Sequence, residues 1–330
     1  MTPALALISA LCASLASVTL GLGSAAMAAD QGLTITQSAP DVLYADRLAY
    51  VGHVTAEEQP HPTATASTPD ASPTPQQLRL RNAALIAGSS LLVGAYGVNK
   101  WWNDGFTGDF RTVSEGWFGQ DTPYGGADKL GHAFFAYAGS RLLTRAFEEA
   151  GNDHDRALPL GVWTTLGIMT AVEILDGYSK QYEFSKEDAI LNVAGVALGY
   201  VLERNPDLDR LIDVRVLYRP SAGKFDPFGD YSGQKYLLAL KASGVPALRE
   251  NPLLRYFELT AGYGTRGYES PPGVVRSRHV HVGVSLNLSE VLGSTVFRGA
   301  GERSRVQRAT DLFFEFVQVP GTAALARHRL

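Results

Sequence analysis

Three short clusters carry the residue types that do chemistry. The first is Asp128-Lys129-x-x-His132, where Asp128 and His132 are four apart and share one face of a helix. The second is Glu173-x-x-Asp176, three apart and again on one face. The third is Asp188-x-x-x-Asn192-x-x-Gly195-x-x-x-Gly199, a polar stripe that runs into a glycine stripe. A neutral imidazole with carboxylates suits a divalent transition metal, and inward Glu and His on bundle helices build carboxylate–metal sites. His132, Glu173 and Asp188 are therefore the candidate metal ligands, or a metal-free acid/base set. Asp128, Lys129, Asp176 and Asn192 are the candidate binding residues around them. A metal held there would activate water against a phosphate or acyl ester. Neither a Glu-x-x-His pair nor a Gly-x-Ser-x-Gly elbow accompanies them.

A structural reading stands beside the chemical one. Ser185-Lys186-Glu187-Asp188 fits a capping box with Ser185 as N-cap. Asp128 fits a cap after Gly125-Gly126. His132 bonded to Glu173 would fix helix register, and Lys129 reads as a surface or interfacial cation. A further reading makes the cluster a ligand or lipid-headgroup site. All readings share one energetic premise. Ionisable groups inside apolar helices are expensive to bury alone, so the three clusters should point at one another.

The elements that must position these residues are helices, predicted at about 78–99, 127–149, 158–177 and 186–203. Each apolar run is near the roughly 20 residues that span a bilayer, yet each carries Gly, Ser, Thr or a charge. A soluble bundle and a short-helix bundle seated in a membrane are both open. Gly195 and Gly199 allow close helix approach in either setting. After Arg204-Asn205-Pro206 the period changes. His279–Leu288 alternates strictly, with Val280, Val282, Val284, Leu286 and Leu288 on one face and His279, His281, Gly283, Ser285 and Asn287 on the other. Weaker strand signals lie at 213–218, 234–241, 255–263 and 311–319. His279 and His281 are two apart and could bind a metal; lacking a third ligand nearby in sequence, they read as an exposed polar face. The fold class predicted is α+β: a four-helix bundle over 78–206, soluble or membrane-associated, followed over 207–330 by a small antiparallel β-sheet or part-barrel.

The N-terminal region reads as export machinery. Residues 4–22 are apolar, and Ala26-x-Ala28 fits a signal-peptidase site, so 1–29 is an expected cleavable signal. A Lys or Arg near its start is missing, and an uncleaved anchor is the alternative reading. The sole cysteine, Cys12, lies inside that signal after Leu11 rather than a small residue, which argues against lipidation and leaves the mature chain without thiol chemistry. Residues 30–56 give no strong signal. Residues 57–77 are rich in Pro, Thr, Ser and Ala and read as a disordered linker that includes a solvated His61, closing an N-terminal segment of 30–77. The chain has 330 residues and a net charge of −4, with no basic excess to hold a nucleic-acid backbone.

Taken together, GADKLGHAFFAYAGSRLL, EILDG and FSKEDAILNVAGVALGY resemble the YfiM-type family of predicted periplasmic lipoproteins, which has no established function. The resemblance covers about 125–203. The same order of Asp-Lys-x-x-His, a helical Glu and Asp-x-x-x-Asn-x-x-Gly is more distantly similar to VanZ-like membrane proteins. The tract DYSGQKYLLALK at 230–241, with the strands after it, looks like the extension of longer family members. This chain departs from the lipoprotein pattern in lacking a lipidation cysteine. The resemblance implies a periplasmic or outer-membrane location, with membrane or envelope components as partners. The expected function is a membrane-associated structural or binding role. The alternative is a metal-dependent hydrolase or transferase acting on a lipid or envelope glycan precursor.

Overall fold

In the computed structural model, residues 72–221, 225–269, 274–298 and 304–330 are described. The expected signal and most of the linker lie outside them. Helix α1, Pro75–Lys100, opens with a reciprocal capping box: Thr74 Oγ1 accepts from Gln77 N at 3.3 Å, and Gln77 Oε1 accepts from Thr74 N at 2.8 Å. Pro75 fills the first helical position, where no amide partner is needed. The last three residues of the expected linker, 75–77, thus belong to the helix. Helices α2 (Ala127–Glu149), α3 (His154–Tyr178) and α4 (Lys186–Arg204) follow, each within a few residues of its expected bounds.

These three helices form the packed heart of the helical part. α4 approaches α2 at its glycines: a Cβ at Gly195 would overlap the Ala133 carbonyl, and one at Gly199 would overlap the Ser140 hydroxyl. α1 joins along one edge. Leu85 packs with Phe147 and Ala157, and Asn82 exchanges amide hydrogen bonds with Asn152 at 3.0 and 2.8 Å. Much of α1 and α3 faces outward, including Leu91, Leu92, Val98 and Trp163. Among the described residues α3 is the one helix long and apolar enough to cross a membrane, and most of its apolar window is unburied.

The C-terminal part is a five-stranded antiparallel meander: β3 (Ile212–Tyr218), β4 (Gln234–Lys241), β5 (Phe257–Arg266), β6 (Ser277–Leu286) and β7 (Ala323–Arg329), in that spatial order. Two-residue strands β1 (Thr112–Val113) and β2 (Phe184–Ser185) pair separately in parallel. The short helices are α5 (Pro206–Leu211), α6 (Pro246–Arg249), α7 (Leu288–Ser294) and α8 (Arg305–Phe316). The architecture is α+β, with eight helices among the described residues and one antiparallel five-stranded sheet.

Two expectations for this part are corrected. The signal at 311–319 belongs to the end of a helix: Phe313 and Phe316, three apart, bury together on one side of α8, a helical period that a strand cannot satisfy. The polar face of β6 is also inverted. His279 and His281 are buried, whereas Val282 and Val284 are exposed on the opposite face beside Leu238, Leu240 and Leu259. The buried face is held by ions. Arg215 pairs with Asp213 and, at 2.6 Å, with Glu258, and Ser285 Oγ donates to Glu258 at 2.8 Å.

Candidate functional site

The candidate site lies among α2, α3 and α4. A left-handed turn launches α2: Tyr124, Gly125 and Gly126 have φ of 47°, 64° and 83°. Gly126 is the N-cap of α2, so Asp128 stands in the first turn and does not cap the helix. That corrects the capping expectation for Asp128. At α4 the Ser185 hydroxyl accepts from Asp188 N at 3.3 Å, which fixes the turn that carries Asp188.

His132 Nδ1 stands 3.2 Å from Glu173 Oε1 and 3.2 Å from Asn192 Oδ1. Asn192 Nδ2 donates to Glu173 Oε1 at 3.4 Å. One ligand atom each from His132, Glu173 and Asp188 lies within 4.8 Å of the other two. The geometry thus gathers residues from all three helices. Asp176 is not among these converging ligand atoms: its Oδ1 accepts the Trp102 indole N–H at 2.6 Å, tying the end of α1 to α3.

A second acidic group adjoins the first. Glu115, Asp128 and Asp188 also converge within 4.8 Å, and the Lys129 ammonium sits among them. It lies 2.7 Å from Asp128 Oδ2, 3.4 Å from Asp188 Oδ1, and in direct contact with Glu115. Lys129 is fully buried, which corrects its reading as a surface cation. Three carboxylates explain the burial, because a desolvated ammonium needs anions around it. Glu115 escaped the sequence reading. It arrives from a loop, delivered by the β1–β2 pairing, with Ser114 Oγ donating to Glu187 Oε1 at 2.8 Å. Trp102 was missed as well; its position after α1 carries no periodic signal.

Electrostatics separates the two halves. Burial pushes the Glu173 carboxyl up to about 9, with Asp188 and Asp176 adding repulsion. Burial raises Asp128 to about 7 although Lys129 opposes it, and raises Asp176 to about 7 although its bond from Trp102 opposes it. Burial alone would pull Lys129 down, but Asp128 and Asp188 outweigh it and keep the ammonium charged. Lys129 therefore occupies the place a cation would take among Glu115, Asp128 and Asp188. The His132–Glu173–Asp188 side has an imidazole and two carboxylates of the kind a divalent transition metal takes, with the Asn192 carbonyl beside them.

Comparison with known proteins gives one family. Residues 114–204 match the family described as predicted periplasmic lipoprotein (DUF2279). The chain matches no curated protein and no solved structure, and the VanZ-like similarity is not shown. The family description agrees with an exported, periplasmic or outer-membrane location. The part of the chain that is similar to the predicted periplasmic lipoprotein family DUF2279 is thus the segment 114–204, which carries His132, Glu173, Asp188, Asn192 and the Lys129 group.

Proposed function

We propose that this protein is a membrane-associated envelope protein. Its helical part seats the flank formed by α1 and α3 in the acyl region of a bilayer, and the buried polar cluster serves as the internal lock of that part. The observation that carries this is an apolar groove of about 620 Å³ between α1 and α3, lined by residues such as Ile86, Val93, Leu160, Ile168 and Leu175. Trp163, on its rim, is 69% exposed. Arg156 also lines the groove beside Trp163, and cations and exposed indoles favour the headgroup level. The described residues leave this apolar area uncovered, and patches of this kind mark interaction surfaces. Acyl chains are the occupant that an apolar, shape-tolerant groove fits best in an envelope protein.

The reading is association, not crossing. The other side of α2 packs on the sheet and α8: Phe134 meets Tyr236, and Tyr137 meets Phe316. Helices crossing a bilayer would carry along the charged face of that sheet and the open edge of β7, which hydrocarbon does not tolerate. The test is flotation of the mature chain with phosphatidylethanolamine–phosphatidylglycerol vesicles. The wild-type chain should float, and a Trp163→Glu, Leu175→Glu double variant with an unchanged fold should not. A wild-type chain that stays in the aqueous fraction contradicts the proposal.

A second reading has its own observation. The convergence of His132, Glu173 and Asp188 ligand atoms within 4.8 Å favours a divalent metal there. Zinc or manganese should then bind stoichiometrically in calorimetry, and His132→Ala should abolish the heat. Identical heats in the two proteins would rule the site out.

A further inference from the structure

The inverted face of the sheet pairs some of its cations with carboxylates and leaves others, half-buried Lys235 and Arg266 and exposed Arg327, without one among the described residues. Arg215 has Asp213 and Glu258, and Lys241 has Asp213. Further along the same face the register brings Lys235, Gly264, His279 and Arg329 into one cross-strand row. The next row holds Leu237, Gly262, His281 and Arg327. Paired residues of neighbouring antiparallel strands share a face, and so do residues two apart on one strand. Arg266, two beyond Gly264, joins the same side. Gly264 and Gly262 of β5 put no side chain between β4, which carries Lys235, and β6, which carries both histidines.

A small cavity of about 50 Å³ remains there, with Lys235, Arg266, Arg327 and both imidazoles among its walls. Among the described residues, Lys235, Arg266 and Arg327 make no ion pair with a carboxylate. Elsewhere the fold spends three carboxylates, Glu203, Asp209 and Glu315, on the single buried Arg141. Three cations converging without an anion repel one another and invite one.

We propose that this cavity is a binding site for a phosphate group, held by Lys235, Arg266 and Arg327 and hydrogen-bonded by His279 and His281. Phosphate is the oxyanion that fits. Donors converge from four neighbouring strands, and guanidinium groups grip phosphate oxygens in pairs. The volume is several times the roughly 10–15 Å³ that a single water needs on this measure, room for a small oxyanion group. Burial, with the neighbouring cations, holds both imidazoles below their ordinary value, His281 at about 4. Each is therefore neutral near pH 7 and still carries an N–H to donate. The same cations exclude the metal reading of this histidine pair, because a metal ion would enter a field already positive. The proposal is independent of the helical groove and of the His132 cluster.

Two sources supply such a group: inorganic phosphate or a small free ester, and the headgroup of an anionic lipid. The test follows the imidazole signals of His279 and His281 by NMR in the mature chain. Inorganic phosphate is titrated against chloride at equal ionic strength. Vesicles of phosphatidylglycerol in phosphatidylcholine are then compared with phosphatidylcholine alone. Both signals should move saturably with phosphate, and Lys235→Gln or Arg327→Gln should weaken the response at least tenfold with melting temperature unchanged. A matching response to the phosphatidylglycerol vesicles, competed by phosphate, assigns the lipid source; a response to phosphate alone assigns the free one. No saturable response to either probe, or a response unaltered in both variants, overturns the proposal.

Discussion

Glu173 Oε1 on α3 receives His132 of α2 at 3.2 Å and the amide of Asn192 on α4 at 3.4 Å. One carboxyl oxygen thereby ties three helices at a single point. His132→Ala should leave Glu173 and Asn192 short of a partner and cost roughly 1–3 kcal/mol, the penalty for a buried polar group left unsatisfied. Urea unfolding of the two proteins measures this. A loss within experimental error would mean that the histidine contributes nothing to the lock.

Lys129 should matter more. Among the described residues it is the one cation paired with Glu115, Asp128 and Asp188, and it is fully buried. Lys129→Met keeps the stem and removes the charge, leaving buried carboxylates uncompensated. The expected loss is about 3–5 kcal/mol, as for other broken buried pairs. The same unfolding curves test it, and a variant as stable as the parent would contradict the assignment of Lys129 as the internal counter-ion.

Stability should fall as pH rises. Glu173 is held up to about 9 by burial and by Asp188 and Asp176, against an ordinary 4.5 in the unfolded chain. The folded state therefore keeps a proton that the unfolded state releases between those values. Its contribution is fully present below about 4.5 and is lost as pH passes through 9. Asp128 and Asp176, raised to about 7, add to the slope in its lower part. Unfolding free energies measured from pH 5 to 9 should decline, and Glu173→Gln should flatten the alkaline end. An equal slope in the variant would place the linkage elsewhere.

The helices were legible in the sequence because their apolar runs are long and their ends carry signals such as Ser185. His132 and Glu173 stood out for the same reason, as polar groups within apolar stretches. Lys129 stood out with them as a candidate binding residue, but its burial did not, because that depends on Glu115, which reaches it through a loop and a two-residue strand pair that leave no periodic trace. Strict alternation identified β6 but not which face is buried. Burial of the histidine face rests on ions such as Arg215 and Glu258, contributed by other strands. β7, with the sequence AALARHR, lacks the branched and aromatic residues that mark a strand and is ordered by pairing with β6.

The α2–α4 contact makes a paired prediction. At Gly195 a Cβ would overlap the Ala133 backbone, which cannot move aside as a side chain can. Gly195→Ala should cost about 1–3 kcal/mol through overpacking. Gly167, inside α3, has nothing within 4 Å of its Cβ position, so Gly167→Ala should stabilise by about 0.4–1 kcal/mol. Thermal melts of the two variants should move in opposite directions; a shared direction would contradict the close approach at Gly195.

The seating of the α1–α3 groove in lipid is tested most directly by a spin label at Gly167, which lines the groove in open space. With Cys12→Ser in place, Gly167→Cys carries the nitroxide and Asp207→Cys, fully exposed, provides the aqueous control. Accessibility to oxygen and to a water-soluble nickel chelate is measured with and without phosphatidylethanolamine–phosphatidylglycerol vesicles. On adding vesicles, the label at 167 should gain oxygen and lose nickel accessibility, while the label at 207 stays aqueous. A label at 167 that remains as open to nickel as the control contradicts membrane association through this groove.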